Sequence, residues 1–258
     1  MQQISPKLGR PKKLSLLLNQ MRLTPRDFEI LKYLFDQKFC SLECLYHRFF
    51  DGRKPEEPIP DQMRVARQRL QALKRAEIIK SQSVYSEAKS VYLIAPRGYQ
   101  VLSGRYPNLI FGPAAKEVDF RNYEHDKRVN LVRVALEKSG KVMLWYPERR
   151  IRLEGFRVDG ISTALPETVI PDAIILTPQG KRIAIEVEVS IRKKSRFRFK
   201  VDELSNVMRG DPPLIHSVLF IACSDALGKD LSEITADKKG FRVEPYSDFA
   251  NYLQNGGK

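Results

Sequence analysis

Three carboxylates in the second half of the sequence have a spacing that could hold a divalent metal ion. Asp172 is separated by thirteen residues from Glu186, and Glu188 lies two positions further on. Alternation along a strand places Glu186 and Glu188 on one face, opposite an apolar core face. A strand pair would bring Asp172 beside Glu186, and carboxylates crowded in this way raise each other's pKa unless a cation lies among them. The pattern predicts that Asp172 and Glu186 bind Mg²⁺, which can generate hydroxide and stabilise a leaving oxygen.

A basic run follows the acidic strand directly. Residues 192–200 read RKKSRFRFK, in which six of nine residues are Lys or Arg and none is acidic. Such a run can hold a phosphate backbone whether or not the phosphate is cleaved. We assign DNA contacts to Arg192, Lys194 and Arg196. The alternative is a fold kept for binding alone, in which the carboxylates hold nearby arginines.

One helix in the first half has chemistry suited to a DNA groove. We expect it to run from Asp61, as its N-cap, to about Arg75. Its apolar face consists of Met63, Ala66, Leu70 and Leu73. Its opposite face consists of Arg64, Gln68, Gln71 and Arg75, with Arg67 at the edge. Arg can pair with guanine and Gln with adenine in the major groove, so this face predicts sequence-specific contacts; an ordinary solvated face is the alternative.

Two further sets of residues carry weaker signals. The arm 1–20 is basic, and its Gly-Arg-Pro tract around Arg10 and Lys12 is similar to an AT-hook, which lays Arg into a narrow minor groove. A disordered cationic tail is the alternative for this arm. Cys40, Cys44 and His47 form a C-x3-C-x2-H pattern, but zinc needs a fourth ligand that the neighbourhood does not offer. We therefore expect these thiols to pack as small apolar groups.

The elements around the basic helix predict a winged helix-turn-helix over residues 21–104. Thr24 and Ser41 are placed to cap two preceding helices, with Pro25 at the first position of the first one. Two short strands follow around a polar turn that carries Lys89, which we assign to the phosphate backbone. We expect Pro96-Arg97-Gly98 to break the chain before a short helix. Residues 105–120 lack periodicity and are predicted to be a linker.

The elements of residues 121–258 predict a small mixed α/β sheet, so the whole chain is expected to be α+β. A helix from about Asn122 to Lys138 carries a stripe that begins at His125. A strand follows, then a strand pair around Gln179-Gly180, a helix over 195–209, and two more strands. This order would place the carboxylate pattern on the strand pair and the basic run at the start of the next helix.

Composition restricts the classes of partner. The chain has 258 residues and a formal net charge of +14, a field that attracts polyanions such as nucleic acid. There is no run of about 18 apolar residues of the kind that crosses a membrane. Three cysteines give no disulfide framework and fit a reducing compartment, so we expect a cytoplasmic protein.

The order helix, three strands, helix, strand, together with Asp172 and Glu186-Val187-Glu188, resembles the PD-(D/E)xK nuclease superfamily. The resemblance implies metal binding by Asp172 and Glu186. Glu188 occupies the position of the family lysine, as it does in a minority of active members, and Lys193 or Lys194 is placed to substitute. Glu124 could supply the acid that the family often has on its first helix. His125 is expected to pack against the sheet.

Residues 24–205 resemble the replication-relaxation family, associated with plasmid mobilisation accessory proteins. The motifs that carry the resemblance are VYLIAPRGYQVL, EHDKRVNLVRVAL and PDAIIL with IAIEVEVS. It implies a DNA-binding accessory role in mobilisation or replication of a plasmid or integrative element, beside a relaxase or replication protein. Two alternatives are a Mg²⁺-dependent endonuclease or nickase, and a transcriptional repressor whose second half binds a partner or forms homodimers.

Overall fold

The computed structural model describes residues 22–52, 60–84, 90–158, 161–163, 165–191 and 193–255. The fold is α+β, as the sequence predicts. The arm with Arg10 and Lys12, the turn residue Lys89, and Arg192 lie outside the described residues. Among the helices of the described residues, none has the length and apolar character needed to cross a membrane.

The first half of the chain combines four helices with a three-stranded sheet. The helices are α1 (Pro25–Gln37), α2 (Leu42–Phe49), α3 (Pro60–Arg75) and α4 (Pro96–Arg105). The strands are β1 (Cys40–Ser41), β2 (Ile79–Gln82) and β3 (Val91–Ile94). Strand β3 lies between β1 and β2 and is antiparallel to both, so β2 and β3 form a hairpin directly after α3.

Local sequence signals explain where these helices begin. Thr24 caps α1 in a capping box with Asp27, whose Oδ2 accepts a 2.6 Å hydrogen bond from the backbone N–H of Thr24. Ser41 caps α2 by accepting from the N–H of Cys44. Helix α3 begins at Pro60, one residue before the predicted cap. Each signal acts within one turn of its helix, which is why the sequence alone reveals it.

The predicted break at Pro96-Arg97-Gly98 is wrong, because these residues form the first turn of α4. Proline suits the first position of a helix, where no intrahelical partner for an N–H is needed. Gly98 is buried, and a Cβ added there would lie against the carbonyl oxygen of Ile78, so the glycine permits α4 to approach the start of the hairpin.

The second half is built on a five-stranded sheet in the order β10–β9–β8–β7–β4. The strands of this half are β4 (Leu144–Pro147), β5 (Phe156–Val158), β6 (Ile161–Thr163), β7 (Ala173–Leu176), β8 (Arg182–Glu188), β9 (Ser217–Ala222) and β10 (Phe241–Pro245). Strand β7 is antiparallel to both of its neighbours, β4 and β8, whereas β8, β9 and β10 run parallel. Strands β5 and β6 form a separate antiparallel pair.

Helices cover both faces of this sheet. They are α5 (Tyr123–Lys138), α6 (Glu148–Glu154), α7 (Lys194–Met208), α8 (Asp225–Thr235) and α9 (Tyr246–Gln254). Helix α5 packs with α9 against one face, and α7 packs with α8 against the other. Both faces of β8 are therefore buried, including the face that carries Glu186, which the alternation pattern alone places opposite the core.

The two halves of the chain share one hydrophobic core. The cluster that contains Leu34, Leu45 and Leu70 of the first half also contains Val132 of α5 and Ile185 of β8. Between α4 and α5, residues 106–122 have no helix or strand, in agreement with their lack of periodicity, yet Phe111 packs edge-on against Phe35. The boundaries drawn from the sequence stay a prediction, and the described contacts join the two halves tightly.

Candidate functional site

The three carboxylates lie together where β7 begins and β8 ends. The antiparallel pair Ala173–Ile185 fixes the register of these two strands. Asp172, one residue before Ala173, therefore lies beside Glu186, as the strand-pair argument predicts. Glu188 is two residues further along β8 on the same face.

Backbone and side-chain donors hold Asp172 in a fixed orientation. Its Oδ2 accepts a 2.8 Å hydrogen bond from the N–H of Val187 and lies 3.1 Å from Nε2 of His125. Burial raises the pKa of Asp172, but the hydrogen bond and charge of His125 outweigh burial, so the pKa is lowered overall. Asp172 is therefore ionised in the neutral pH range.

Glu186 is the most deeply buried acid of the cluster. It is 2% exposed, and its Oε2 lies 2.8 Å from Nζ of Lys200. Its Oε1 is buried and has no hydrogen-bond donor among the described residues. Burial disfavours the charged form and raises the pKa of Glu186 to about 8, against the opposing effect of Lys200. A buried carboxylate oxygen without a donor is a suitable ligand for a cation.

Lys200 is the cluster residue that sequence reasoning missed. It lies on α7, 2.8 Å from Glu186 and 3.8 Å from Oε1 of Glu188. Burial lowers the pKa of Lys200, but both glutamates outweigh burial and raise it. Lys193, the predicted substitute for the family lysine, is exposed before the first turn of α7, and the structure gives it no contact with the acids. The available signal was the position of Lys200 on α7 between the apolar residues Phe197 and Val201, which the structure buries.

The first helix of the second half contributes His125 to the cluster, and Glu124 points elsewhere. Glu124 pairs with Arg128 on the same helix. The predicted packing of His125 against the sheet is wrong, because its side chain is 33% exposed and contacts Asp172 and Asp126. Burial lowers the pKa of His125, but hydrogen bonds to Asp126 and Asp172 outweigh burial and raise the pKa to about 10.

These groups fit a cation only in part. Asp172 and the free oxygen of Glu186 are adjacent acceptors, while Lys200 and His125 already supply positive charge there. Among the described residues, no group of three or more His, Cys, Asp or Glu side chains is arranged to hold a metal ion. Any divalent ion at this site would depend on Asp172, Glu186 and non-carboxylate ligands.

The basic and amide face of α3 is exposed. Five side chains on this face are exposed, and none is paired with another side chain that the structure describes: Arg64, Arg67, Gln68, Gln71 and Arg75. The opposite face is anchored, since Ala66, Leu70 and Leu73 are completely buried. Arg69, outside both sets, donates from Nε to Oδ1 of Asp27 over 2.8 Å and so ties α3 to α1.

The basic run and the Cys-Cys-His pattern are the other two sets of predicted site residues that the structure describes. In the basic run, Arg196 is exposed, whereas Lys194 forms a 2.6 Å ion pair with Asp230. Cys40, Cys44 and His47 are all buried, in agreement with thiols that pack as small apolar groups. His47 uses its Nδ1 to contact Asp51 at 3.0 Å.

Comparison with known proteins identifies no relative of this chain. No family model matches the chain. Searches among curated proteins and among solved structures likewise find no match. Two sites of the described residues therefore bear on function, the exposed face of α3 and the carboxylate cluster.

Proposed function

We propose that the protein binds double-stranded DNA through α3, as a sequence-specific accessory protein in the mobilisation or replication of a plasmid or integrative element. The observation that carries the proposal is the face of α3 on which three Arg and two Gln side chains are exposed. Residues 63–75 contain no acidic side chain, so nothing on this part of the helix repels a phosphate backbone.

The elements next to α3 also support the proposal that it binds DNA. Three helices followed by the β2–β3 hairpin form the order expected of a winged helix-turn-helix, in which the third helix enters the major groove. Arg side chains can read guanine and Gln side chains adenine there. When α6 and the β5–β6 pair are left out, the order α5, β4, β7, β8, α7, β9 is that of the PD-(D/E)xK core and supports a nuclease-like second half. The resemblance to the replication-relaxation family supports a role in processing a plasmid or integrative element.

The test of DNA binding is a fluorescence-anisotropy titration with duplexes from the host element's own origin and promoter regions. Arg64→Ala or Gln68→Ala should cost about 1–3 kcal/mol on the preferred duplex and relax its sequence preference. Lys181→Ala is the control, because Lys181 is an exposed lysine on the turn between β7 and β8 and its loss also removes one charge. Unchanged affinity in both α3 variants contradicts the proposal. Protection of a promoter site alone would favour a repressor.

The second candidate is a metal-dependent endonuclease or nickase, favoured by the convergence of Asp172, Glu186, Glu188 and Lys200. Asp172 and Oε1 of Glu186 would hold the ion, which when bound supplies Lewis acidity and a bound hydroxide. The N–H of Val187 keeps Asp172 in place. Lys200 holds one oxygen of Glu186, and its ammonium group would be a source of positive charge for a phosphate bound beside the ion.

A nicking assay separates this enzyme from a protein that only binds. Supercoiled plasmid with Mg²⁺ or Mn²⁺ should be nicked by the wild type and not by Asp172→Ala with Glu186→Ala, if the cluster is catalytic. Lys200→Met should reduce nicking while leaving duplex affinity unchanged. Nicking that persists in the double variant, or that is absent from the wild type, removes the enzyme hypothesis and leaves the DNA-binding proposal intact.

A further inference from the structure

A chain of hydrogen bonds connects the carboxylate cluster to the first half of the protein. Nζ of Lys38, the residue after α1, lies 3.1 Å from Oδ2 and 3.3 Å from Oδ1 of Asp126 on α5. Oδ1 of Asp126 lies 3.4 Å from Nδ1 of His125, whose Nε2 lies 3.1 Å from Oδ2 of Asp172. The contacts run without interruption from the end of α1 to the first acid of the cluster.

The backbone at Lys38 is held in a conformation that side chains rarely adopt. Its φ is 69° and its ψ is −51°, and the N–H of Phe39 donates to the carbonyl oxygen of Gln37 over 2.8 Å. This is a γ-turn with positive φ, which is strained for a residue with a Cβ. Such strain persists where the surrounding contacts over-determine the backbone, and it often accompanies function. Here Asn130 on α5 fixes the turn by donating to the carbonyl oxygen of Phe39.

Both halves of the chain also line the space beside Asp172. A cavity of about 20 Å³ there is bounded by Gln37 and Lys38 from the end of α1, and by His125 and Asp172 from the second half. Gln37 is 7% exposed, and its Nε2 has no hydrogen-bond partner in the part of the chain that the structure describes. The volume is sufficient for one water molecule. The surroundings of the cluster are thus completed by residues of the first half.

We propose that Lys38 is a positioning residue for the carboxylate cluster and acts on Asp172 through Asp126 and His125. Lys38 fixes Asp126, Asp126 orients the imidazole of His125, and the imidazole holds one oxygen of Asp172. The inference rests on the second candidate function, in which Asp172 and Glu186 hold a divalent ion. On this inference, the cation site forms only while the end of α1 is docked on α5.

The experiment is calorimetric titration of the full chain with Mn²⁺. Lys38→Met should weaken Mn²⁺ binding about tenfold, the effect expected when support for a metal ligand is lost. Charge alone predicts the opposite sign, because removal of a nearby positive charge strengthens the attraction of a cation. Lys32→Met is the matched control, since Lys32 lies on α1, which ends just before Lys38, and pairs with Asp36. The affinity of this variant for Mn²⁺ should equal that of the wild type.

Two more variants separate positioning from a folding defect. Lys38→Gly removes the amine and also the strain at positive φ, so it should fold at least as well as the wild type and still bind Mn²⁺ weakly. Lys38→Arg should restore the affinity. Mn²⁺ binding by Lys38→Met that is equal to or tighter than that of the wild type overturns the inference. A wild type that binds duplex DNA but no Mn²⁺ removes the cation site itself, and the inference with it.

Discussion

The ionisation of single side chains controls what the carboxylate cluster can hold. Glu186 is buried beside Lys200, and the pKa raised to about 8 means that its carboxyl keeps a proton through much of the neutral range. Asp172 accepts a hydrogen bond from the N–H of Val187. It stays charged over the same pH range because its pKa is lowered. A metal ion at this site must therefore displace a proton from Glu186, and it meets no such competition at Asp172.

The affinity of the cluster for Mn²⁺ should rise with pH. Between about pH 6 and about pH 8 the expected gain is about tenfold per pH unit, because one proton leaves Glu186 for each ion bound. Above about pH 8 the affinity should level off, since Glu186 is then ionised before the ion arrives. Calorimetry at several pH values measures this slope. Glu186→Gln, which cannot ionise, should bind weakly with no slope, and a wild-type affinity independent of pH contradicts the argument.

The site residues also show where sequence reasoning succeeds and where it stops. Asp172 and Glu186 could be paired from the sequence because one turn joins their strands, and Gly180 in that turn has the positive φ that its position requires. Lys200 could not be assigned to the cluster, since its contact depends on how α7 lies on the sheet. The contact between His125 and Asp172 spans 47 residues and was missed for the same reason.

At the scale of elements, the packing of α4 against the hairpin fixes the position of the strands behind α3. The N–H of Ala95 donates to the carbonyl oxygen of Ile78 over 3.1 Å, just before α4 begins. Gly98, one turn later, faces the same carbonyl group. The close approach leaves no room for a side chain, so a residue that looks like a helix breaker in the sequence is required by packing.

Gly98→Ala should destabilise the protein by about 1–3 kcal/mol, because its Cβ would overlap a backbone oxygen that cannot move freely. Gly104→Ala is the matched control on the same helix, since a Cβ there meets no atom within 4 Å. That change should be neutral or stabilise by up to about 1 kcal/mol, as expected when Ala replaces Gly inside a helix. Urea denaturation measures both. Equal stabilities of the two variants contradict the packing argument.

On the scale of the whole molecule, buried polar contacts join the two halves in addition to the shared core. Arg150 on α6 is nearly buried and donates from Nε to Oδ1 of Asp36 on α1 over 2.7 Å. Its Nη1 donates to the carbonyl oxygen of Ile110 and to Glu154. The sequence separation between Asp36 and Arg150 is 114 residues, so no local pattern could reveal that the predicted domains meet here.

Arg150→Ala should destabilise the protein by about 3–5 kcal/mol, because it leaves Asp36 buried with reduced compensation of its charge. Arg152→Ala, on the same helix, should cost less than about 1 kcal/mol, since its ion pair with Glu148 is partly exposed. Thermal unfolding followed by circular dichroism measures both. We expect one transition for the wild type, and two separate transitions would show that the halves unfold independently.

The shared core restricts how this protein can change over evolution. Helix α5 buries Val132 in the core that it forms with the sheet, and it also presents Asn130 to the backbone after α1. The first half could not be exchanged for another module by recombination at residues 105–120 without new side chains along α5. If the outer face of α3 binds DNA as proposed, changes of target are expected to accumulate there as point substitutions, because the exposed side chains of that face are not part of the core.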